Sequence, residues 1–267
     1  MDRRTFDRFR QLVYEKSGIA LGPGKEALVS ARVSRRLRVL GIDSYEAYLR
    51  RLMHDQSGDE IAQLLDAIST NVTSFFREPS HFEFLARAMT EWLAAGQRRF
   101  RVWSAACSVG EEPYSMAITM LQAAQGSDPD VKILATDIST RVLETCRRGT
   151  YQQERLNTVP RALRERYFTY DCSQNPPRYT VKNPLRKRIV FRRLNLSAPP
   201  FPMHGPLDAI FCRNVMIYFD KVVRARLLQE LQRLLRPGGY LMVGHAETLT
   251  GMVTELKNVR PSIYVKL

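Results

Sequence analysis

The chain has 267 residues, of which 44% are apolar and 25% charged, the composition of a globular protein with one large or two smaller domains. Its 41 basic and 27 acidic side chains give a formal net charge of +14. This charge favours an acidic partner, such as nucleic acid, an anionic membrane surface or a protein rich in Glu and Asp, although a basic solvated surface is the alternative. The sequence has no uninterrupted apolar run near the ~18 residues of a membrane span, and its charged N-terminus differs from a signal peptide. We expect a cytoplasmic protein without membrane insertion.

The cysteines and histidines give no sign of a metal centre. The four cysteines form no CxxC pair, and neither they nor the four histidines have the spacing of metal ligands. We expect reduced cysteines that serve mainly in packing, and no bound metal.

The N-terminal part, residues 1–70, is predicted to be a small helical domain. Its apolar residues recur at helical spacing from Thr5 to about Ile68. In the second helix, Arg32, Arg35 and Arg38 are spaced three apart with Arg36 beside them, so they form a basic strip on one helix face. Such a strip is either a solvated face or a docking surface for an acidic partner.

Residues 71–267 are predicted to form a second domain in which strands and helices alternate. This alternation is typical of a doubly wound α/β fold with a mostly parallel sheet. The predicted strands are 100–106, 131–136, 188–194, 207–212, 240–244 and 262–266, and the predicted helices are 112–124, 140–148 and 221–235, the last ended by Arg236-Pro-Gly-Gly239.

An insert at 150–187 interrupts this alternation and is too long for an ordinary connection. It contains a possible β-hairpin at 167–182. Residues 178–193 include many basic side chains and no acidic one. We therefore predict an inserted basic β-subdomain at about 167–187.

The stretch from Phe100 to Ser115 reads as strand, tight loop and helix. A helix N-terminus usually attracts anions, but here Glu111 and Glu112 stand where a phosphate would bind, so the loop favours a cationic ligand. S-adenosylmethionine (SAM), with an amine, a sulfonium and an adenosine, fits that description. Ser108 and Glu111 match a capping box, whereas Pro113 indicates a slightly later helix start. Glu112 is therefore the preferred ligand contact.

Further candidates lie where the other predicted strands end, at the edge where ligands bind in such sheets. Asp137 is placed to bind ribose hydroxyls, or else to cap the next helix. Asn195 and Leu196 offer an amide and an apolar side chain to adenine, although Asn195 also suits a turn. Asn214 would lie beside a transferring methyl group, and Tyr218 is either a core or a site residue.

Four segments closely resemble the CheR-type chemotaxis receptor methyltransferases: Asn71-Val-Thr-Ser-Phe-Phe-Arg77, Ser108-Val-Gly-Glu-Glu-Pro-Tyr-Ser115, Ala135-Thr-Asp-Ile138 and Cys212-Arg-Asn-Val-Met-Ile-Tyr-Phe219. The resemblance spans nearly the whole chain. It implies transfer of a methyl group from SAM to receptor glutamates, leaving S-adenosylhomocysteine. The SAM contacts it implies are Asn71, Thr73, Arg77, Glu112, Asp137, Asn195, Leu196, Asn214 and Val215.

Charge and motif position suggest roles in catalysis for two residues, and the resemblance implies a surface for substrate binding. Arg77 would hold the incoming carboxylate or order the site, and Tyr218 would orient the methyl group or the acceptor oxygen. The basic strip of Arg32, Arg35 and Arg38 would meet the acidic helical bundle in the receptor's cytoplasmic part. Some relatives tether to a receptor-tail pentapeptide through a glycine-containing turn of the inserted hairpin, and this chain has no glycine between Tyr151 and His204. We expect a monomer without such tethering.

Two other functions stay open at this point. A nucleic-acid methyltransferase is suggested by the net charge and by Asn175-Pro-Pro177, although we expect no nucleic-acid partner. A non-catalytic SAM-binding signalling adaptor would keep the same fold without turnover.

Overall fold

The computed structural model describes residues 1–22, 24–56, 58–68, 72–124, 126–252 and 254–267. Its N-terminal part is helical, with α1 at Arg3–Ser17, α2 at Glu26–Leu40, α3 at Tyr45–Met53 and α4 at Asp59–Ile68. The side chain of Asp2 caps α1 by accepting from the Thr5 N–H, and Gly18, at a φ of 70°, ends the helix. These helices bury one shared apolar cluster that includes Phe9, Val33 and Tyr48.

A seven-stranded sheet follows in the order β6-β2-β1-β7-β8-β10-β9. Its inner strands pair in parallel, and β10 runs antiparallel to both of its neighbours. The chain therefore has the predicted doubly wound α/β fold behind a helical domain. The strands are β1 (Arg99–Ser104), β2 (Asp130–Asp137), β6 (Ile189–Arg193), β7 (Leu207–Cys212), β8 (Leu235–Val243), β9 (Leu256–Arg260) and β10 (Ile263–Lys266).

Helices cover both faces of this sheet. Successive side chains of a strand point to opposite faces, so Phe100 and Val102 of β1 belong to one apolar cluster and Trp103 belongs to another. The first cluster packs against α5 (Pro79–Ala94), α6 (Glu111–Ala123) and α7 (Thr140–Arg148), and the second against α10 (Lys221–Leu234).

The insert forms a small sheet of its own in the order β3-β5-β4. The predicted hairpin is present, with β4 at Phe168–Asp171 and β5 at Arg178–Val181. A third strand that was not predicted, β3 at Thr150–Gln152, pairs with β5. Two short helices, α8 (Arg161–Tyr167) and α9 (Asn183–Arg186), complete the insert.

The largest differences from the prediction lie in two strands of this sheet. Strand β8 begins at Leu235 rather than at Tyr240, because Leu235 already pairs with Leu207 before an irregularity in the ladder. Strand β9 lies at the sheet edge with only Leu256 buried, so it carries too little apolar pattern to be recognised. Within the described ranges, we find no helix with the length and apolar character needed to cross a bilayer.

Candidate active site

The strand order reverses at β1, whose neighbours are β2 and β7, and ligands of doubly wound sheets bind at this switch point. A cleft with an empty volume of about 1280 Å³, part of it open to solvent, lies there. The loops after β1, β2, β6 and β7 form one wall. Residues of the helical domain, including Ser17, Ile19, Ala20 and Leu28, form another.

Most of the predicted site residues converge on this cleft. Its lining includes Thr73, Arg77, Glu112, Asp137, Asn195, Leu196, Asn214, Val215 and Tyr218. Asn71 lies outside the described residues. The basic strip of α2 is not part of the lining.

The loop after β1 turns sharply into α6. Ser108 and Gly110 have φ angles of 48° and 95°, and a Cβ on Gly110 would lie 2.8 Å from the Tyr151 hydroxyl. The N-cap is Gly110 rather than Ser108, so the predicted capping box with Glu111 is wrong. Because α6 begins at Glu111, Pro113 falls in its first turn, where an N–H has no partner inside the helix.

The two glutamates of this turn point to different places. Glu111 is fully buried outside the cleft lining, 3.4 Å from the Arg155 guanidinium, and burial raises its pKa to about 7. Glu112 lines the cleft. The sequence-based choice of Glu112 over Glu111 as the residue that faces a ligand agrees with this geometry.

Glu112 has two protein partners. Its Oε1 accepts a hydrogen bond of 2.7 Å from the Ser104 hydroxyl, and its Oε2 accepts one of 3.1 Å from Arg213. Burial raises the pKa of Glu112 despite the attraction of Arg213. About 12% of the side chain is exposed and Glu112 lines the cleft, so its negative charge is available to a ligand there.

Arg213 is the central charged residue of the site, and sequence reasoning missed it. Its side chain is 2% exposed and joins Glu112 at 3.1 Å to Glu78 at 3.0 Å. It also donates to the Arg77 carbonyl and lies 5.5 and 5.8 Å from the ring centres of Phe82 and Phe211. One buried guanidinium thereby ties the segment before α5 to the start of α6.

Asp137, at the end of β2, orders two loops. One carboxylate oxygen accepts from the Ser108 N–H at 2.9 Å, and the other accepts from the Ser139 N–H at 3.0 Å. The cap of α7 is Ser139, whose hydroxyl accepts from the Val142 N–H, so the alternative role of Asp137 as helix cap is wrong. Each carboxylate oxygen keeps a second lone pair for a hydroxyl donor.

Asn195 links the sheet to the helical domain. Its amide donates to the Lys16 carbonyl at 3.0 Å, and its Oδ1 accepts from the Ser197 N–H and hydroxyl. It is thus a turn residue that also lines the cleft. Gly18 packs beside this turn, where a Cβ would lie 2.3 Å from the Ser197 Cβ.

The loop after β7 is held in a strained conformation. Asn214 has a φ of 56°, and its N–H donates to Glu247 Oε2 at 2.7 Å. Glu247, buried and also missed by sequence reasoning, accepts from the Gly244 and Ile217 N–H groups as well. The Tyr218 carbonyl accepts from the Ala20 N–H at 2.8 Å, so this loop too meets the helical domain.

Left-handed backbone concentrates around the cleft. Among the described residues, the non-glycine positions with positive φ are Phe76, Glu78, Ser108, Asn214 and Ser262, and all but Ser262 lie in or beside the loops of this site. Such conformations cost about 1–3 kcal/mol each and persist where the surrounding structure fixes them. The cleft is therefore a pre-organised site rather than a gap between domains.

Comparison with known proteins decides the family. The model of the CheR methyltransferase SAM binding domain matches residues 71–265, and that of the CheR methyltransferase all-alpha domain matches residues 4–69. The chain belongs to the CheR methyltransferase family. It is 42% identical over 262 residues to chemotaxis protein methyltransferase 2 of Pseudomonas aeruginosa, covering 98% of this chain and 92% of that protein. It is 39% identical to the chemotaxis protein methyltransferase of Salmonella typhimurium, covering 97% and 88%.

This CheR protein is an enzyme whose methyl donor is SAM. The side chains that line the cleft suit SAM. Glu112 offers negative charge to an amine or sulfonium, Asp137 offers acceptors to hydroxyl groups, and Leu196 offers an apolar surface to a base. The missing side chain of Gly110 lets this loop pack closely against Tyr151 and Cys146.

Proposed function

We propose that the enzyme methylates glutamate side chains on the cytoplasmic helical domain of chemoreceptors, forming methyl esters in the cytoplasm. The observation that carries this proposal is the cleft, which joins the proposed SAM residues to Arg77 and Tyr218 and opens beside the basic helix α2. Glutamate methylation is the activity that combines a cationic donor, a carboxylate acceptor and an acidic protein partner.

The chemistry needs alignment more than acid–base catalysis. SAM supplies a methyl group on a positively charged sulfur. An acceptor glutamate with a pKa near 4.3 is already ionised at neutral pH, so no general base is required. Holding the reactants in attack geometry can supply roughly 7–11 kcal/mol of the barrier.

Each residue then has a positioning task. Glu112 would hold the amine of the donor, and Asp137 would hold its ribose. Arg77 lines the cleft and donates to the Val72 carbonyl at 2.9 Å, and its guanidinium would neutralise an incoming carboxylate. Tyr218 also lines this cleft, and its hydroxyl would orient the methyl group or the acceptor oxygen. Thr73, Asn195, Leu196, Asn214 and Val215 complete the proposed donor contacts, with Asn71 from the adjoining segment.

The decisive experiment uses methyl-labelled SAM and a panel of receptor cytoplasmic fragments. We expect label on the receptor fragment that leaves as methanol in mild base, as a carboxyl methyl ester does. Label on RNA or DNA, with a steep loss of activity as salt rises, would instead support a nucleic-acid methyltransferase. Tight SAM binding without turnover of any fragment would support a non-catalytic adaptor.

We propose that the strip on α2 docks on an acidic receptor helix. Leu28 lines the cleft, and residues seven apart share a helix face. Arg35 therefore lies on the same face of α2 as Leu28, farther along the helix from the cleft. Arg35 and Arg38 are exposed, whereas Arg32 also donates to the Ile68 carbonyl. Arg36 is not part of this surface, because its guanidinium binds Glu60 with two bonds of 2.8 and 2.7 Å.

Reversing Arg35 and Arg38 to glutamate is expected to lower kcat/KM for receptor fragments by at least about tenfold at low salt, since steering by opposite charges is lost. The affinity for S-adenosylhomocysteine should not change. The matched control reverses the exposed Lys257 and Arg260 on the edge strand β9, which changes the net charge equally. Equal activity of the two double variants would refute docking through α2.

We also propose that this enzyme acts without a receptor-tail tether. The turn between β4 and β5 spans residues 172–177 and contains Pro176 and Pro177 but no glycine. Calorimetry with a receptor-tail pentapeptide is expected to give no binding heat. Saturable binding that is lost when the peptide sequence is scrambled would contradict this proposal.

A further inference from the structure

Three side chains beside the cleft bring possible metal ligands together. Glu78 precedes α5, His81 lies in its first turn, and His245 follows β8. One ligand atom from each residue lies within 4.8 Å of the others. Sequence reasoning missed this cluster and led to the expectation of no bound metal, because His245 is far along the chain from the other two residues.

His81 is the unusual member of the group. It is completely buried, and neither ring nitrogen has a hydrogen-bond partner within the part of the chain that the structure describes. Its Nδ1 lies 3.4 Å from Glu78 Oε2, without the geometry of a hydrogen bond. A buried polar group without a partner costs about 1–3 kcal/mol, so a ligand that the described residues do not supply would stabilise this ring.

We propose that Glu78, His81 and His245 bind a divalent transition-metal ion of the zinc type. Two imidazoles and a carboxylate are an established donor set for zinc, and the exposed side of His245 leaves room for water as a fourth ligand. Ligand atoms of a tetrahedral zinc site lie roughly 3.4 Å apart. Rotation of the exposed His245 side chain can close the remaining distance.

Arg213 sets the strength of this site. Its guanidinium donates to Glu78 Oε2 at 3.0 Å, and its positive charge opposes a cation nearby. Glu78 Oε1, in contrast, accepts long bonds of 3.4 Å from Asn214 and 3.3 Å from the His245 N–H, so this oxygen can turn to a metal. Arg213 then orients the ligating carboxylate, and its positive charge makes this site weaker than a structural zinc site.

The test is a zinc titration of the full chain, without methyl donor or receptor, so it does not depend on the proposed function. The exposed Cys172 is replaced by serine in all samples, because a free thiol also binds zinc. Calorimetry is expected to show one ion per chain, and imidazole nitrogen signals in NMR spectra should shift for both His81 and His245.

The variants decide where the ion binds. His245→Ala should weaken zinc binding at least about tenfold, whereas His54→Ala and His204→Ala, which change the other two exposed histidines, should not. Because His81 is shielded from solvent, movement of its ring signals reports binding inside the cluster. Unchanged His81 signals, or wild-type affinity of His245→Ala, would overturn the proposal.

Discussion

Replacing Arg213 by methionine is expected to lower the free energy of unfolding by about 3–5 kcal/mol at neutral pH. This is the cost of removing one partner of a buried ion pair, which leaves the other charge buried and unpaired. The substitution leaves Glu78 and Glu112 without their shared guanidinium and removes a donor to the Arg77 carbonyl. Methyl transfer should be lost as well, since both segments that Arg213 joins line or border the cleft.

The loss of stability caused by Arg213→Met should depend on pH in a defined direction. Burial alone would raise the pKa of Glu78, and Arg213 together with the His245 N–H lowers it. Without Arg213, burial is expected to raise the pKa of both Glu78 and Glu112 in the folded protein. The destabilisation is then present at high pH and decreases as the pH falls and the carboxylates take up protons. Urea unfolding at pH 8 and pH 5 should show a smaller difference from wild type at pH 5.

The control for Arg213 is Arg236→Met. Arg236 donates to Asp208 at 2.7 Å and lies 5.2 Å from the Trp92 ring centre, but Asp208 keeps donors from Gln97 and from the Arg101 N–H. We expect a loss below about 2 kcal/mol there. Adding Glu78→Gln and Glu112→Gln to Arg213→Met should restore stability without activity. A loss under about 1 kcal/mol in Arg213→Met would show that the two carboxylates do not depend on it.

Replacing Arg77 by alanine is expected to lower kcat by about 100-fold or more, while the free energy of unfolding changes by less than about 1 kcal/mol. The side chain is half-buried at the cleft, and its Nη1 bond to the Val72 carbonyl is solvent-exposed, so folding depends little on it. Its proposed tasks are to hold the acceptor carboxylate and contact the donor. Single-turnover methylation at saturating SAM measures the first, and calorimetry with S-adenosylhomocysteine measures the second.

Arg77→Lys separates charge from shape. Lysine keeps the positive charge but lacks the planar fork that matches a carboxylate, so an intermediate rate is expected. If Arg77→Ala retained both wild-type affinity for S-adenosylhomocysteine and wild-type turnover, Arg77 would have no part in the reaction. A change in affinity alone would restrict its role to the donor.

Elements with clear local signals were predictable from the sequence. Helix α7 was predicted with its observed bounds, because Ser139 and Gly149 cap its two ends. The positions of Glu112, Asp137 and Asn214 followed from the rule that loops after parallel strands meet at one edge. Strand β9 was missed because an exposed edge strand needs little apolar pattern.

The sequence could not reveal contacts between residues that are far apart along the chain. Arg213 and Glu78 are separated by 135 positions, and Glu247 and Asn214 by 33, so no local spacing connects them. Arg213 stands inside a segment that sequence reasoning had already singled out. Its role depends on burial between two carboxylates, which only the three-dimensional arrangement reveals.

The contacts of Gly18, Ala20 and Asn195 bear on how the two domains respond to ligands. The end of α1 packs on the turn at Ser197, the Ala20 N–H bonds the Tyr218 carbonyl, and Ile19 and Leu28 line the cleft. A ligand that fills the cleft therefore stabilises both domains through thermodynamic linkage. Because the helix that carries the basic strip belongs to one of these domains, its stability rises when the cleft is filled.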